Sequence, residues 1–508
     1  MANASVRTFT LVGIEAHEVR VEVDVQKGLP SFAVVGLPDA AVRESRERVR
    51  AAVTNSGFEF PQQRITASLA PADLRKAGPG FDLAIAAALL AARRVVSAEA
   101  LAGAALAGEL SLDGSVRPVP GVLAMAERAA AAGLERLVVP VESAAEAALP
   151  ARLNGASPAG LRIVPVGHLR DLGLLGGETE PRFDPAEARL PERGWAAHRD
   201  LASLRGQPVL RRALEVAAAG NHGLLIVGPR GAGKTLAARC LPSLLPSLSD
   251  AEALEVLRIA SACGRAAGGL AALARPFRAP HHTVSTAGLV GGGTPPRAGE
   301  VTLAHRGVLF LDELAEFSRA SLEALRQPLE EGEVTITRVG RTVRFPARFL
   351  LVAACNPCPC GRGTDHEECE CAPGEVRRYQ CRVSGALADR IDLSVAVSQP
   401  SGETMAAPAG EPSEGVRERG IAARERAAAR QGKPNAELEP EELRRHARLT
   451  DRARRELALG HRALGLSGRG HDRVLRVART LADLAGSERV DAEHVQGALA
   501  LRRKGAGG

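Results

Sequence analysis

The segment "LLIVGPRGAGKTLAARC" constrains the fold of this 508-residue chain more than any other part of its sequence. Four apolar residues precede a Gly-x-x-x-x-Gly-Lys-Thr loop, and a helical pattern begins directly after the loop. Glycines let backbone N–H groups wrap around phosphates at a helix N-terminus, so this order of elements predicts a nucleotide site. The predicted nucleotide-binding residues are Gly228, Pro229, Arg230, Gly231, Ala232, Gly233, Lys234 and Thr235.

Two further apolar runs supply the rest of a hydrolytic site. "GVLFLDELAEF" predicts a buried parallel strand ending at Asp312 and Glu313, and "RFLLVAACNP" predicts a third strand ending at Asn356. Lys234 is expected to reach the β- and γ-phosphates, while Thr235 and Asp312 hold Mg²⁺. Glu313 is placed to polarise a water molecule and Asn356 to orient it. The combination predicts ATP hydrolysis and not binding alone.

The length of the chain predicts two or three domains. Residues 1–175 mix strand-like runs ("VRVEVDVQ", "RITASLA") with the helical "DLAIAAALLAARR". A Gly/Pro/Glu-rich linker is predicted at 176–200, and strands alternate with helices over 201–399, as in α/β domains. Residues 400–508 begin with a polar stretch and continue as a helical tail.

The resemblance to a known family becomes specific on longer segments. "DLASLRGQPVLRRALEVAAAGNHGLLIVGPRGAGKT" resembles AAA+ ATPases of the magnesium-chelatase-like group. "FRAPHHTVSTAGLVGGGTPPRAGEVTLAHRGVLFLDELAEF" and "SGALADRIDL" narrow the resemblance to the ComM/YifB family, over essentially the whole chain. It implies an α/β fold with an N-terminal Lon-protease-like α+β domain, a central AAA+ P-loop domain and a C-terminal helical lid.

The resemblance also implies a function. Members of the family are similar to hexameric motors, and a competence member is a DNA branch-migration helicase in natural transformation. The implied partners are branched or single-stranded DNA, identical subunits in a homo-hexamer, and recombination proteins. The net charge of +7 is compatible with a polyanionic partner. Two alternatives stay open, namely a remodelling subunit of the magnesium-chelatase type and a chaperone-like assembly factor that does not act on DNA.

Three arginines have roles implied by the family pattern. Arg390 in "ADRIDL" matches the arginine finger that an AAA+ subunit offers to the γ-phosphate of its neighbour. Arg469 in "LSGRGHDRVLRVARTLADL" matches the sensor arginine of the lid, with Arg473 as the alternative. Arginine suits both roles because its planar fork matches phosphate oxygens. A finger that acts on a neighbour implies an oligomer.

The segment "EGEVTITRVGRTVRFP" predicts a β-hairpin with its turn near Val339 and Gly340. In this AAA+ branch the corresponding hairpin projects into the pore of the ring. Arg338 and Arg341 near its tip are therefore candidate contacts to the DNA backbone. A solvated charged hairpin without such contacts is an equal alternative.

The first block resembles the proteolytic domain of the Lon family, but its catalytic pair is replaced. Gly80 in "KAGPGFDLAIA" stands where Lon has its nucleophilic serine, and Leu123 stands where Lon has its lysine. The neighbouring Lys76 is a poor substitute by position. A Ser–Lys pair needs a hydroxyl and an amine, so we expect the fold to be kept without peptidase chemistry.

Residues 355–381 hold six of the eight cysteines. Two C-x-C pairs in a Gly/Pro-rich loop favour tetrahedral zinc on Cys358, Cys360, Cys369 and Cys371, against the alternative of reduced free thiols. Cys381 and His366 are spare candidates, and Cys355 is expected to pack in the core. Adjacent histidines cannot both face one site on a regular strand, so a structural or nucleotide-coupled role is favoured over metal for His281 and His282.

A cytoplasmic location is expected. The N-terminus lacks a basic start followed by an apolar run, as a signal peptide would have. The longest apolar stretch, "LAIAAALLAA", is far shorter than the roughly 20 residues of a membrane span, so no membrane partner is expected. Thiols stay reduced in the cytoplasm, which disfavours disulfides for this chain.

Overall fold

The computed structural model describes residues 2–154, 160–188, 195, 198–265, 273–338, 341–363, 369–387 and 390–502. The strands, in chain order, are β1 (Ala2–Val12), β2 (Glu15–Gln26), β3 (Ser31–Val35), β4 (Arg64–Ala70), β5 (Ala104–Leu106), β6 (Glu109–Leu110), β7 (Val116–Arg117), β8 (Arg136–Pro140), β9 (Arg162–Val166), β10 (Leu224–Val227), β11 (Phe277–Arg278), β12 (Gly291–Gly292), β13 (Arg297–Ala298), β14 (Val308–Leu311), β15 (Glu333–Arg338), β16 (Arg341–Pro346), β17 (Leu350–Cys355) and β18 (Leu393–Ala396). The helices are α1 (Ala40–Asn55), α2 (Asp82–Ala92), α3 (Ala98–Leu101), α4 (Val122–Ala131), α5 (Ala144–Asn154), α6 (Pro208–Gly220), α7 (Lys234–Leu244), α8 (Asp250–Ala262), α9 (Thr286–Val290), α10 (Glu300–Leu303), α11 (Arg319–Ala324), α12 (Arg326–Glu331), α13 (Pro373–Ala386), α14 (Gly402–Ala406), α15 (Ser413–Gln431), α16 (Pro440–Ala447), α17 (Asp451–Leu464), α18 (Gly468–Leu484) and α19 (Ala492–Ala500). None of the helices in the described part of the chain is long and apolar enough to cross a membrane.

The chain forms two compact units that do not follow the chain order. The first unit contains Met1–Glu192 together with Ser249–Leu273. The second contains Arg193–Leu248 and Ala274–Gly508. The sequence predicts that the segment from Ser249 is part of the α/β block at 201–399, but this segment packs with the N-terminal block.

The first unit is built on a seven-stranded mixed sheet in the order β3-β4-β2-β1-β5-β8-β9. Alternate residues of β2 are buried (Val19, Val21, Val23 and Val25), as the strand alternation predicts. The helix α2 is buried along its whole length, since it carries alanine and leucine on every face. The strands and the helix predicted for this block are confirmed.

Helix α8 joins the first unit through polar contacts as well as packing. Arg258 makes a bidentate ion pair with Glu127 on α4, at 2.7 and 2.8 Å. The Ser261 hydroxyl donates to the carboxyl group of Glu146 on α5, and burial raises the pKa of Glu146. The carbonyl of Ser261 also accepts from the backbone N–H of Gly121 at 3.0 Å. These contacts hold α8 against α4 and α5.

Part of the predicted linker also belongs to the first unit. Glu180 is only 7% exposed, and its carboxylate accepts from Arg136 at 3.2 Å and from Arg162 at 3.3 Å. The backbone N–H of Gly176 donates to the same carboxylate at 2.7 Å. The composition of this stretch is that of a loop, but the buried carboxylate fixes it to β8 and β9.

The second unit contains a five-stranded parallel sheet in the order β11-β14-β17-β10-β18. Residues of β10 pair with β17 on one side and with β18 on the other, so that Leu224 is level with Val352 and Leu393. Every residue of β14 and of β17 is buried, as is usual for central parallel strands. The predicted α/β class is confirmed, and the carboxyl ends of these strands lie at one edge of the sheet.

A buried polar network joins the C-terminal helices to the opposite edge of this sheet. His222, just before β10, contacts Asp392 at 2.8 Å and Thr480 on α18 at 2.7 Å. Further along α18, Asp483 accepts two hydrogen bonds of 2.7 Å from Arg430 on α15. Arg479, which is fully buried, pairs with the same carboxylate at 3.0 Å.

Candidate nucleotide site

The P-loop connects the end of β10 to the start of α7. The backbone of Gly228 donates to the carbonyl of Cys355 at 3.2 Å, which ties the loop to the end of β17. A Cβ atom at Gly228 would lie 2.5 Å from the carbonyl oxygen of Val397, so only glycine fits here. The first N–H groups of α7 have no partner within the helix and are available to an anion.

Lys234 is buried at the centre of the site. Its ammonium donates to the carbonyls of Gly228 at 2.6 Å and Pro229 at 2.9 Å, and to Asn356 Oδ1 at 3.0 Å. Burial lowers the pKa of Lys234. The side chain of Asn356, at the end of β17, thus lies directly beside the P-loop lysine, as adjacent parallel strands require.

Thr235 and Asp312 offer two oxygens at the same edge of the sheet. The Thr235 hydroxyl donates to Asp312 Oδ2 at 2.7 Å, and Asp312 Oδ1 accepts from the backbone N–H of Glu313 at 3.0 Å. Hydroxyl and carboxylate oxygens are ligands that Mg²⁺ prefers. The two residues therefore fit a magnesium ion next to the P-loop.

Glu313 follows Asp312 in a left-handed backbone conformation (φ 52°), which is uncommon for a residue other than glycine. Its side chain is 46% exposed, and Oε2 lies 3.4 Å from Nδ1 of His282. The ring of His281 lies 4.1 Å from that of His282. The sequence predicts no partner residue for these two histidines. The nucleotide-coupled role suggested for them is the one signal that agrees with the contact between His282 and Glu313.

The candidate arginine finger, Arg390, lies close enough to the two candidate sensor arginines, Arg469 and Arg473, for their charges to act on it. Arg390 precedes β18, and the backbone N–H of Asp392 bonds to Gly223 O at 3.1 Å, so Arg390 lies at the amino edge of the sheet. The Arg390 guanidinium pairs with Glu330 of α12. Burial lowers the pKa of Arg390, and the positive charges of Arg326, Arg469 and Arg473 lower it further.

The four predicted zinc ligands form one cluster. Their Sγ atoms, on Cys358, Cys360, Cys369 and Cys371, all lie within 4.8 Å of one another. Four sulfurs at the usual zinc distance are about 3.8 Å apart in a tetrahedron, and three of the observed separations are 3.3, 3.8 and 3.7 Å. None of the eight cysteines, all of which are among the described residues, forms a disulfide, and Cys355 is buried as predicted. Cys381 is exposed and outside the cluster, and His366 lies outside the described residues.

A hydrogen bond from the backbone N–H of Arg362, together with bonds from the neighbouring thiols, lowers the pKa of Cys360 to about 6, whereas burial and the neighbouring sulfurs raise the pKa of Cys369 and raise that of Cys371 to about 12. A lowered thiol pKa favours the thiolate, which is the form that binds metal. The chemistry of the donor set therefore fits a soft divalent cation such as zinc.

The predicted hairpin is confirmed as the antiparallel pair β15 and β16, with Glu333 opposite Pro346. The turn residues Val339 and Gly340, and the side chains of Arg338 and Arg341, lie outside the described residues. A second short hairpin, β12 and β13, lies near the first, since a Cβ on Gly291 would approach Ile336 to 3.1 Å.

In the first unit, Gly80 and Leu123, the two positions that the sequence resemblance matches with the Lon catalytic pair, offer neither a hydroxyl nor an amine. Gly80 lies in a short 3₁₀ turn before α2, where a Cβ would meet Val119 at 3.6 Å. Leu123 is fully buried on α4. The buried ammonium of Lys76 donates to the carbonyl of Pro71.

Comparison with known proteins identifies the class. The profile for magnesium chelatase, subunit ChlI, matches residues 200–405, and the C-terminal profile of the same subunit matches 410–502. A third profile, for subunit ChlI of Mg-chelatase, matches 21–143. Fold, site and profiles together define a magnesium-chelatase-like AAA+ protein.

Full-length relatives identify the family. A Mycobacterium tuberculosis protein, Rv2897c, is 45% identical over 506 residues, with 97% of each chain covered. YifB of Escherichia coli is 41% identical, covering 99% of this chain and 97% of its own. The competence protein ComM of Haemophilus influenzae is 40% identical, covering 99% and 98%. The chain belongs to the ComM/YifB family of magnesium-chelatase-like proteins, and this AAA+ family indicates ATPase activity with ATP and Mg²⁺.

Proposed function

We propose that this protein is an ATP-driven motor that moves branch points in DNA. One observation carries the ATPase part of the proposal, namely that Lys234, Asn356, Thr235 and Asp312 meet in two direct contacts of 3.0 and 2.7 Å. A P-loop alone binds nucleotide. Carboxylate and amide groups from the two neighbouring strand ends add what hydrolysis requires.

Each residue has a distinct role in the proposed reaction. Lys234 binds the β- and γ-phosphates, and Thr235 and Asp312 hold Mg²⁺, which neutralises phosphate charge when bound. Glu313 accepts hydrogen bonding from the attacking water and polarises it, and Asn356 orients that water. The loop residues Gly228 to Gly233 supply backbone N–H groups to the phosphates.

Arg390 is proposed to act on the nucleotide of a neighbouring subunit. It lies at the amino edge of a parallel sheet whose P-loop lies at the carboxyl edge, so it is remote from the nucleotide of its own chain. Arg469 and Arg473 belong to the same positively charged group, which is consistent with sensor arginines that also face the neighbour. This arrangement supports a homo-hexameric ring, in which every interface is equivalent.

The DNA part of the proposal depends on the family. The identity to a competence protein extends over nearly the whole of both chains, which supports a role in competence and recombination. The proposed partners in that role are recombination proteins. Arg338 and Arg341 flank the turn of the β15–β16 hairpin, and the chain carries a net charge of +7. Both features support a ring pore that binds the phosphate backbone of DNA. The alternatives are a chelatase-type remodelling subunit and an assembly factor that does not act on DNA.

We further propose that the first unit is a Lon-protease-like domain without peptidase activity, and that residues 400–508 form the helical lid. A zinc ion on Cys358, Cys360, Cys369 and Cys371 is proposed as a structural cofactor. The predicted place of the protein is the cytoplasm, where these thiols stay reduced.

The ATPase rate with and without four-way-junction DNA tests the proposal, with the wild type compared to Glu313→Gln. Junction DNA should accelerate hydrolysis in the wild type. The variant should bind ATP and DNA but hydrolyse about 100-fold or more slowly, as expected for loss of a general base. Hydrolysis that responds to a protein partner and not to DNA would favour the assembly factor.

A further inference from the structure

Residues 355–361, which run from the end of β17 into the cysteine cluster, contact the P-loop from one side. Cys355 O accepts from the backbone N–H of Gly228 at 3.2 Å, and Asn356 accepts from Lys234 at 3.0 Å. Beyond them, Gly361 O accepts from the backbone N–H of Arg230, also at 3.2 Å. The phosphate-binding loop is thus hydrogen-bonded at its start, its middle and its end to residues 355–361.

The same segment is built around the first cysteine of the cluster. The carbonyl of Cys358 accepts from the backbone N–H of Gly361 at 3.0 Å, and its Sγ accepts from that of Gly363 at 3.3 Å. Hydrogen bonds from backbone N–H groups to a sulfur stabilise the thiolate that a metal requires. The turn that presents Gly361 to the P-loop is therefore also the turn that shapes the cysteine site.

Gly361 itself has little freedom at this contact. Its φ is +84°, and a Cβ atom would lie 3.0 Å from Nε of the Arg230 side chain. Glycine has the most permissive backbone of all residues, so it does not fix this conformation by itself. The neighbouring residues must fix it. Cys358 on one side and Arg230 on the other are these neighbours.

We propose that a zinc-class metal ion on the four cysteines sets the conformation of the P-loop through Gly361 and Arg230, so that metal loading controls nucleotide affinity. The inference rests on the proposed nucleotide-binding function of Lys234 and its loop. Binding replaces the protons of the thiols by four metal–sulfur bonds, releases those protons to solvent, and moves no electrons. Without the metal, Cys358 and Cys360 lose their anchor to Cys369 and Cys371, and the carbonyl of Gly361 is no longer held against the P-loop.

The first test measures metal content and nucleotide affinity on the same samples of the full chain. The wild type is expected to carry one zinc per chain by plasma mass spectrometry and to bind a fluorescent ATP analogue in the presence of Mg²⁺. The double variant Cys369→Ser/Cys371→Ser is expected to lose the zinc and to bind the analogue about tenfold more weakly, the scale of one hydrogen bond. Cys263→Ser, an exposed cysteine in the other unit, is the matched control and should match the wild type.

Two further experiments test the inference even if the double variant does not fold. A zinc-selective chelator applied to the wild type, with Mg²⁺ present, should weaken analogue binding by the same factor, and added zinc should restore it. Gly361→Ala keeps all four thiols, so it should retain zinc and still lose nucleotide affinity. Unchanged affinity after zinc removal, or a wild type that carries no metal, overturns the inference. A zinc-loaded wild type that binds no nucleotide overturns instead the proposed function on which the inference rests.

Discussion

Nδ1 of His282 lies 3.4 Å from Oε2 of Glu313, which couples a loop after β11 to the carboxylate at the end of β14. The left-handed backbone at Glu313 leaves its side chain 46% exposed, so the carboxylate needs a neighbour to fix its direction. His282 is the neighbour that the structure provides. It is therefore a positioning residue for the proposed attack of water.

Replacing His282 by alanine should lower kcat of ATP hydrolysis by about tenfold to 100-fold, the usual effect of a misplaced reacting group. Affinity for the nucleotide should stay unchanged, since His282 contacts no P-loop residue by hydrogen bond among the described contacts. Steady-state hydrolysis and fluorescent-nucleotide titration separate the two effects. His281→Ala is the control, because His281 bonds to Thr283 instead, at 2.9 Å. Equal losses in both variants would argue against a specific role for His282.

Asn356→Ala should also lower kcat, by about 100-fold, if the amide orients the attacking water. The variant removes the 3.0 Å hydrogen bond to Lys234, but that lysine keeps its bonds to two backbone carbonyls. Nucleotide affinity should therefore fall by only a few fold. Single-turnover hydrolysis at saturating ATP is the measurement. A variant with normal kcat and poor binding would make Asn356 a structural partner of Lys234 and nothing more.

The sequence was sufficient to predict the functional side chains that lie directly after a run of apolar residues. Lys234, Asp312 and Asn356 each lie at the end of a strand or the start of a helix, and parallel strands place all such ends at one edge. The two C-x-C pairs similarly confined four thiols to one loop, and the structure places them together. These relationships are local, so the pattern of residues could predict them.

Long-range placement could not be predicted. The apolar pattern of α8 shows that the helix buries a face, but not that its partners are α4 and α5, which begin more than a hundred residues earlier in the chain. His282 reaches Glu313 only because β11 and β14 are neighbours in the sheet. Glu330 of α12 and Arg390 before β18 are distant in the sequence, and only the fold brings them together as an ion pair. Residue types alone carry no information on such pairs.

Mixing of two inactive variants tests whether Arg390 acts on a neighbouring subunit. Arg390→Ala and Lys234→Ala should each abolish most ATPase activity on their own. Mixed rings should regain activity, because up to roughly a quarter of interfaces would combine an intact P-loop with an intact Arg390. The ATPase rate at equal proportions, after the subunits have exchanged, is the measurement.

The matching control mixes Lys234→Ala with Glu313→Gln. Both residues belong to the nucleotide site of one chain, so no interface in the mixed ring contains a complete site. This mixture should stay inactive. Recovery in the control, or none in the Arg390 mixture, would contradict action on the neighbour.

Asp483 should be critical for the stability of the C-terminal helices. Its buried carboxylate pairs with Arg430 and with the fully buried Arg479, whose pKa burial lowers. Asp483→Asn would leave two guanidinium groups without their counter-charge. Removing one partner of a buried ion pair costs about 3–5 kcal/mol, so the free energy of unfolding should fall by that amount.

An exposed ion pair elsewhere on these helices supplies the contrast. Arg454 and Asp451 lie 3.5 Å apart with 68% and 85% of their side chains exposed. Arg454→Ala should change the free energy of unfolding by no more than about 1 kcal/mol, because exposed pairs are screened by water and salt. Thermal unfolding followed by circular dichroism should show a midpoint lower by about 6 to 12 °C for Asp483→Asn and nearly unchanged for Arg454→Ala. Similar midpoints for the two variants would mean that the buried network does not hold α18 to α15, and that apolar packing alone does.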